Sequence, residues 1–219
     1  MSRRSEVEAP VQSLRDRIRE TTARTILAAA EEVFADAGLH AARMDDIAAR
    51  AGVSVGTLYN HFQDRDALLN GLQEARRTEL LGAVDAVLGR APKLPFRERL
   101  RAMLVVLLEH VERHRRFVHI VLQREVGRYQ DKFPLAGGKS ADTMRELHGR
   151  LDKLMKQGVR EKALRADTAD LAAVFLLGMI RGLVIRDAVL GAEGRIVDEV
   201  DRLCRAFLGG VGAAGEVDS

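Results

Sequence analysis

Residues 51–62 read AGVSVGTLYNHF and lie between stretches written in good helix formers. Two glycines, three β-branched residues and a serine within twelve positions turn a corner rather than extend a helix. A helix ending at Ala51, a left-handed turn at Gly52, Val53 as an apolar plug and Ser54 capping a second helix together make a sharp helix-turn-helix. At about 100° per residue, Leu58 and Phe62 share one face of that second helix with Val55 near its edge, while Gly56, Thr57, Tyr59 and Asn60 look the other way. Its roughly eight residues measure about 12 Å, comparable to the width of a B-DNA major groove. Gly56, without a side chain, lets the backbone approach another surface. These features suit a recognition helix. The same spacing describes an ordinary helical corner whose outer face is polar because water is there.

The rest of the chain is written for helices. Aromatics make up 4% of it, Trp is absent, and Ala, Leu, Arg and Glu dominate, a vocabulary of helices rather than of pleated sheets. With 219 residues and 47% hydrophobic content the chain buries a real core, as one large domain or two small ones. Residues 21–38 place Ile26, Leu27, Ala30, Val33, Phe34 and Ala37 at helical spacing, with Gly38 as a stop. A short helix follows around 44–51, with Asp45 and Asp46 in its first turn. A long one runs from about Asp64 to Leu88, capped by Asp64 or Gln63. Beyond Pro95 two helices are expected, broken near His114 and ending before the loop KFPLAGGKS. A further helix spans about Ala141 to Lys162, with Met144, Leu147, Leu151, Leu154 and Val159 at helical intervals. The last two cover 168–191 and about Gly194 to Leu208. Residues 1–18 read as a flexible extension and 209–219 as a flexible tail.

Bulk charge names no partner. The sequence pI is near 9.3, yet residues 1–80 hold 11 Lys+Arg against 13 Asp+Glu and the remainder 24 against 19, so the basic excess avoids the helical corner. One cysteine, Cys204, excludes an internal disulfide and reads as a small buried hydrophobe. No signal-peptide run follows the opening MSRR, so a cytoplasmic protein is expected.

Between 171 and 190, 17 of 20 residues are apolar or small. Such a helix is covered on nearly every side or crosses a membrane. Arg181, Arg186 and Asp187 interrupt it too often for a span, and no membrane partner is expected. A second copy of the chain is the economical cover, with Phe175, Gly178, Gly182, Ile185 and Val189 on this helix and Val200, Leu203 and Phe207 on the next expected at a dimer interface. The spacing of Gly178 and Gly182 permits close helix approach.

Chemistry-bearing motifs are sparse. LAGGKS at 135–140 ends like a phosphate-binding loop, but Phe133 stands where its first glycine is required and no strand precedes it. His110 and His114 lie four apart on a helix, with His119 nearby, but neither an H-E-x-x-H pattern nor a cysteine pair accompanies them, so no metal is expected. No cofactor and no catalytic residue are expected either. A small-molecule pocket is expected among Met103, Leu107, His114, Phe117, Ile120, Val121, Phe175 and Met179, because apolar and aromatic groups with a few polar ones line such sites.

Taken together, residues 22–69, TARTILAAAEEVFADAGLHAARMDDIAARAGVSVGTLYNHFQDRDALL, resemble the DNA-binding domain of the tetracycline-repressor (TetR) family of bacterial transcription regulators. The remaining residues resemble the family in pattern alone. The resemblance implies an all-α fold of about nine helices: a three-helix DNA-binding head over 19–65, and a ligand-binding and dimerisation body over 66–208 whose last two helices make the homodimer. It implies that Thr57 reaches a base edge or phosphate, that Tyr59 hydrogen-bonds phosphate through its hydroxyl, and that Asn60 and His61 lie where the family places phosphate contacts. Arg65, in place of the usual Lys, would clamp phosphate at a helix start, with Arg24 a further phosphate candidate. Ser54 would cap the recognition helix and Gly56 would let it approach the duplex closely. Two departures stand out. Val55 replaces a Lys, forfeiting one phosphate charge but offering contact to a thymine methyl. Arg43 replaces the usual Thr or Ser before the second helix, and a cation there opposes the helix dipole by about 0.3–1 kcal/mol, which points to an external anion or to a solvated surface arginine.

The expected protein is therefore a homodimer that binds a palindromic double-stranded operator and a small, mostly apolar effector, and that acts as a repressor released by that effector. An all-α dimeric carrier or enzyme with a vestigial corner is the alternative.

Overall fold

The computed structural model describes residues 13–90, 94–118, 120–121, 139–190 and 194–211. Among them every regular element is helical, as composition and periodicity require. The chain divides into two compact units, Met1–Leu72 and Gln73–Ser219. The division falls inside a helix, seven residues beyond the boundary at 65 expected from the sequence.

The first unit holds α1 (Leu14–Ala37), α2 (Met44–Ala51), α3 (Val55–His61) and the start of α4 (Arg65–Arg90). Helix α1 begins earlier than expected because Ser13 caps it: its hydroxyl oxygen accepts the Asp16 N–H at 3.2 Å and donates to the Asp16 carboxylate at 2.7 Å. Residues 14–18 are thus helical and not part of a flexible extension. The expected stripe of Ile26, Leu27, Ala30, Val33 and Phe34 is buried. Ala37, counted into that stripe by spacing, is exposed because the helix ends there against Gly38, whose φ is 81°.

The second unit contains the rest of α4, α5 (Phe96–Arg113), α6 (Lys139–Arg160), α7 (Ala169–Leu190) and α8 (Val200–Val211), with 3-10 turns at Ala166–Thr168 and Ile196–Glu199. Residues 115–118 and 120–121 are helical after a break at His114, as the sequence predicts. The last helix opens with the 3-10 turn, whose first N–H, from Ile196, is received by the Glu112 carboxylate at 2.8 Å. It runs to Val211, so residues 209–211 are helical and not tail. The loop 135–138 and His119 lie outside the described residues.

The core of this unit joins Phe96, Leu100, Met103, Leu104, Leu107 and Leu108 of α5 to Leu147, Leu151, Leu154 and Met155 of α6 and to the inner sides of α7 and α8. Met144, expected on the apolar face of α6, is 48% exposed. Arg99, 4% exposed, is held in this core by Gln157 at 2.5 Å and by the Glu161 carboxylate. That carboxylate also receives the first N–H of α5, from Phe96, at 2.9 Å, so one acid caps a helix and neutralises a buried cation.

Helix α7 has two apolar sides. Ala172, Ala173, Leu176, Ile180 and Val184 are buried against the core, and Leu171, Val174, Phe175 and Ile185 are 41–47% exposed on the opposite side. Gly178 and Gly182 lie on that outer stripe, and a Cβ at either would meet open space. By length and composition residues 166–188 pass for a membrane span. A core helix of a soluble protein passes the same test, and here Asp187 pairs with Arg115 at 3.1 Å and Arg186 with Glu199 at 3.2 Å.

Candidate nucleic-acid interface

The corner at 51–54 is built by hydrogen bonds as the sequence demands. Gly52 sits in the left-handed region at φ 66°, ψ 29°. Its N–H bonds the Ala49 carbonyl at 3.2 Å, while the N–H of Val53 reaches back to Ala48 at 3.0 Å. This pair of crossed bonds closes a helix and turns the chain sharply. One residue later Ser54 opens α3, its hydroxyl oxygen accepting the Thr57 N–H at 3.0 Å.

Two apolar side chains pin the rod. Leu58 is 0% exposed, and the half-buried Phe62 ring lies so close over Gly71 of α4 that a Cβ there would come within 2.7 Å of its Cε1. Helix α2 is tied to α1 by Arg50, which bonds Glu32 at 2.8 Å and lies 3.7 Å from Asp36. Hydrogen bonding to Glu32 holds that guanidinium's pKa above its ordinary value. Sequence spacing did not single out Arg50 or Gly71, because their partners lie on other helices.

The outward face differs from the expected one by a single exchange. Val55, 40% exposed, and Tyr59, 47% exposed, stand beside exposed Gly56 and Asn60, an arc of about 140° on the helix. Thr57 is half-buried at its flank, and its hydroxyl is 2.7 Å from that of Ser54. The expectation that Thr57 faces outward with Tyr59 and Asn60 is corrected: at two residues from Val55 it has rotated toward the cap. Val55, placed by spacing at the edge of the buried face, belongs to the outer one. His61 is half-buried, its ring tilted 33° from that of Phe62.

The expected phosphate-binding cations already have neighbours. Arg24 pairs with Glu20 at 3.0 Å and Arg43 with Asp45 at 3.4 Å, all four side chains more than half exposed. Arg43 stands at the N-cap of α2 with no capping side-chain bond, so the adjacent acid answers the unfavourable dipole. Exposed pairs of this kind are worth about 0–1 kcal/mol and exchange readily for a phosphate. Arg65 donates to the carbonyl of His40 at 3.0 Å, and the start of α4 beside it is capped by Asp64, whose carboxylate accepts the Ala67 N–H at 2.7 Å.

Residues 26–72 match the bacterial regulatory proteins of the tetR family. The first unit is a TetR-family domain. Its match ends at Leu72, the residue at which the unit itself ends. The transcriptional activator FasR of Mycolicibacterium smegmatis is 34% identical over 100 residues, which cover 46% of this chain and 45% of FasR. The repressor KstR2 of the same organism is 31% identical over 106 residues, covering 48% of this chain and 50% of KstR2. The chain thus spans about half the length of these curated relatives. The fold extends further: SmeT, the repressor of a Stenotrophomonas maltophilia multidrug efflux pump, superposes with a TM-score of 0.71 over 92% of this chain and 98% of SmeT at 18% identity. The TetR-like all-α fold therefore covers both units.

The residues expected to form a pocket divide in the structure. Met103, Leu107, His114 and Ile120 are buried, Phe117, Val121 and Met179 half-buried. Phe175 is 44% exposed on the outer stripe of α7, so it belongs to the second apolar side of that helix and not to the interior. A separate polar cleft of about 340 Å³ is lined by Glu74, Arg77, Asp142, Arg145 and Glu146 and crossed by the ion pair of Arg77 with Glu146. Of the expected dimer residues, Gly178, Gly182 and Ile185 are exposed, and the side chain of Val189 lies outside the described residues. Val200, Leu203 and Phe207 are 2–6% exposed within the chain's own core. They are corrected from interface to core: the apolar face of α8 points at α5, and its outer face carries Asp201, Arg202 and Arg205.

Proposed function

We propose that this chain is a homodimeric, ligand-responsive DNA-binding regulator of transcription, acting as a repressor in the bacterial cytoplasm rather than as an enzyme. One observation carries the reading: α3 is fastened by Leu58 and Phe62 and turns Val55, Gly56, Tyr59 and Asn60 to solvent. A rod of this size with a bare backbone patch at Gly56 fits a major groove, where Val55 meets a thymine methyl and the Tyr59 hydroxyl a phosphate. Arg24, Arg43 and Arg65 supply the charge that holds it there.

One such rod binds weakly. Specific affinities of about 10⁻⁸–10⁻¹¹ M call for two half-sites read by a dimer. The outer stripe of α7, with Phe175, Ile185 and the two glycines between them, supports dimerisation through that helix. A small, mostly apolar effector received between the helices of the second unit would bind preferentially to a DNA-incompetent conformation and shift the population by its differential affinity.

A gel-shift titration against the DNA flanking the chain's own gene, at several stated salt concentrations, tests this. A shifted band that weakens as salt rises and is lost on Tyr59→Ala with Asn60→Ala supports the proposal. No band at low salt, or a band indifferent to both substitutions, overturns it.

A further inference from the structure

Reading DNA makes no use of three side chains that meet in the second unit. Glu79 of α4 and His110 and His114 of α5 bring one carboxylate oxygen and two imidazole nitrogens within 4.8 Å of one another. The histidines are one helical turn apart with ring centres 4.7 Å from each other, and they are 9% and 6% exposed. Glu79 reaches His114 Nε2 at 2.9 Å through Oε2. Sequence spacing offered His119 beside the two histidines and did not single out Glu79, because that acid is 31 residues upstream of His110 on a neighbouring helix.

Two imidazoles and a carboxylate make the donor set that holds zinc where a fourth position stays open for water or a small molecule. Calcium and magnesium prefer all-oxygen shells, whereas imidazole suits zinc, cobalt, nickel and copper. Bonds of about 2.0–2.2 Å around a tetrahedral ion set its donors about 3.3–3.6 Å apart, against a spread of these three atoms within 4.8 Å. The flanking cations have a place in such a site. Arg113 bonds Glu79 at 3.0 Å and Arg76 lies 3.3 Å from it, and groups that orient a ligating carboxylate are the usual second layer around a metal.

We propose that Glu79, His110 and His114 bind one divalent transition-metal ion of the zinc class, its fourth position left to water or to a donor atom of a small molecule. The inference is independent of DNA reading and stands or falls without it.

The test uses the full chain stripped of metal with chelator and dialysed against Zn²⁺, with bound metal counted by emission spectroscopy. One ion per chain is expected, with affinity reduced by more than about tenfold in Glu79→Gln and in His110→Asn. His148→Asn, outside the cluster, should bind as the parent does. Loading with Co²⁺ should give the strong visible absorption of a four-coordinate ion. Absence of saturable binding, unchanged affinity in both variants, or the pale spectrum of six-coordinate Co²⁺ would overturn the proposal. Should His110→Asn lose its helical circular dichroism, Glu79→Gln and the Co²⁺ spectrum of the unaltered chain decide.

Discussion

At Gly56 the protein's own structure asks for no glycine. Its backbone is helical, and a Cβ added there would meet the Ser54 hydroxyl at 3.9 Å, an ordinary contact. A helical glycine costs about 0.5–1 kcal/mol relative to alanine, so the chain gives up stability at this position. The close approach to a duplex proposed above would account for that cost. Gly56→Ala should therefore keep or slightly raise the melting temperature while DNA affinity falls by about tenfold, read by thermal unfolding beside a gel shift; unchanged affinity would remove the close-approach role. Tyr59→Phe removes the hydroxyl of a side chain that is 47% exposed on the outer face of α3. Loss of one hydrogen bond of about 1 kcal/mol should weaken binding about fivefold on every DNA sequence alike, which binding to a set of scrambled operators would measure. Ser54 is different, since it caps α3 in the free protein. Ser54→Ala should cost about 1 kcal/mol in denaturant unfolding before any DNA is added. Residue types and spacing disclosed Ser54, Gly56 and Tyr59. They did not disclose Thr57, whose hydroxyl turns to Ser54, nor the Arg65 bond to a backbone carbonyl, because both depend on rotamers that the sequence leaves open.

Elements meet where a small residue lets a large one in. Gly158 of α6 faces the Phe96 ring, three of whose carbons would lie 2.7–2.9 Å from a Cβ at 158. Phe96 is 1% exposed and has no room to retreat. Against a helix-propensity gain of up to about 1 kcal/mol, overpacking typically costs about 1–3 kcal/mol, so Gly158→Ala should lower the denaturant midpoint. Gly71 stands in the same relation to Phe62, the ring that fastens α3. Gly71→Ala should lose stability and DNA affinity together, in contrast with Gly56→Ala, where they part. Helix positions were legible wherever one apolar stripe meets one core, as in α1 and α5. Legibility failed at α7 and α8. A helix apolar all round does not say which side its own chain covers, and the stripe of Val200, Leu203 and Phe207 has the same period whether it faces α5 or a second subunit.

For the whole molecule that ambiguity becomes a measurement. Phe175 and Ile185 are exposed in the single chain at 44% and 41%, while Phe207 is exposed at 2%, although spacing placed all three at one interface. If the outer stripe of α7 joins two subunits, Phe175→Asp with Ile185→Asp puts charge into a dry contact without disturbing the core of either chain. Sedimentation should then report a monomer with intact helical circular dichroism, and operator affinity should fall by more than about 100-fold because one rod on one half-site replaces two. The dependence of binding on salt should flatten at the same time, since about half the phosphate contacts are lost. Phe207→Asp predicts another pattern. A carboxylate buried against α5 costs at least the about 3–5 kcal/mol of deleting the ring, so the second unit should unfold rather than dissociate. Were the Phe175 and Ile185 variant to remain a dimer with full affinity, α7 would not be the joining surface, and the two rods would have to be brought together by another part of the body.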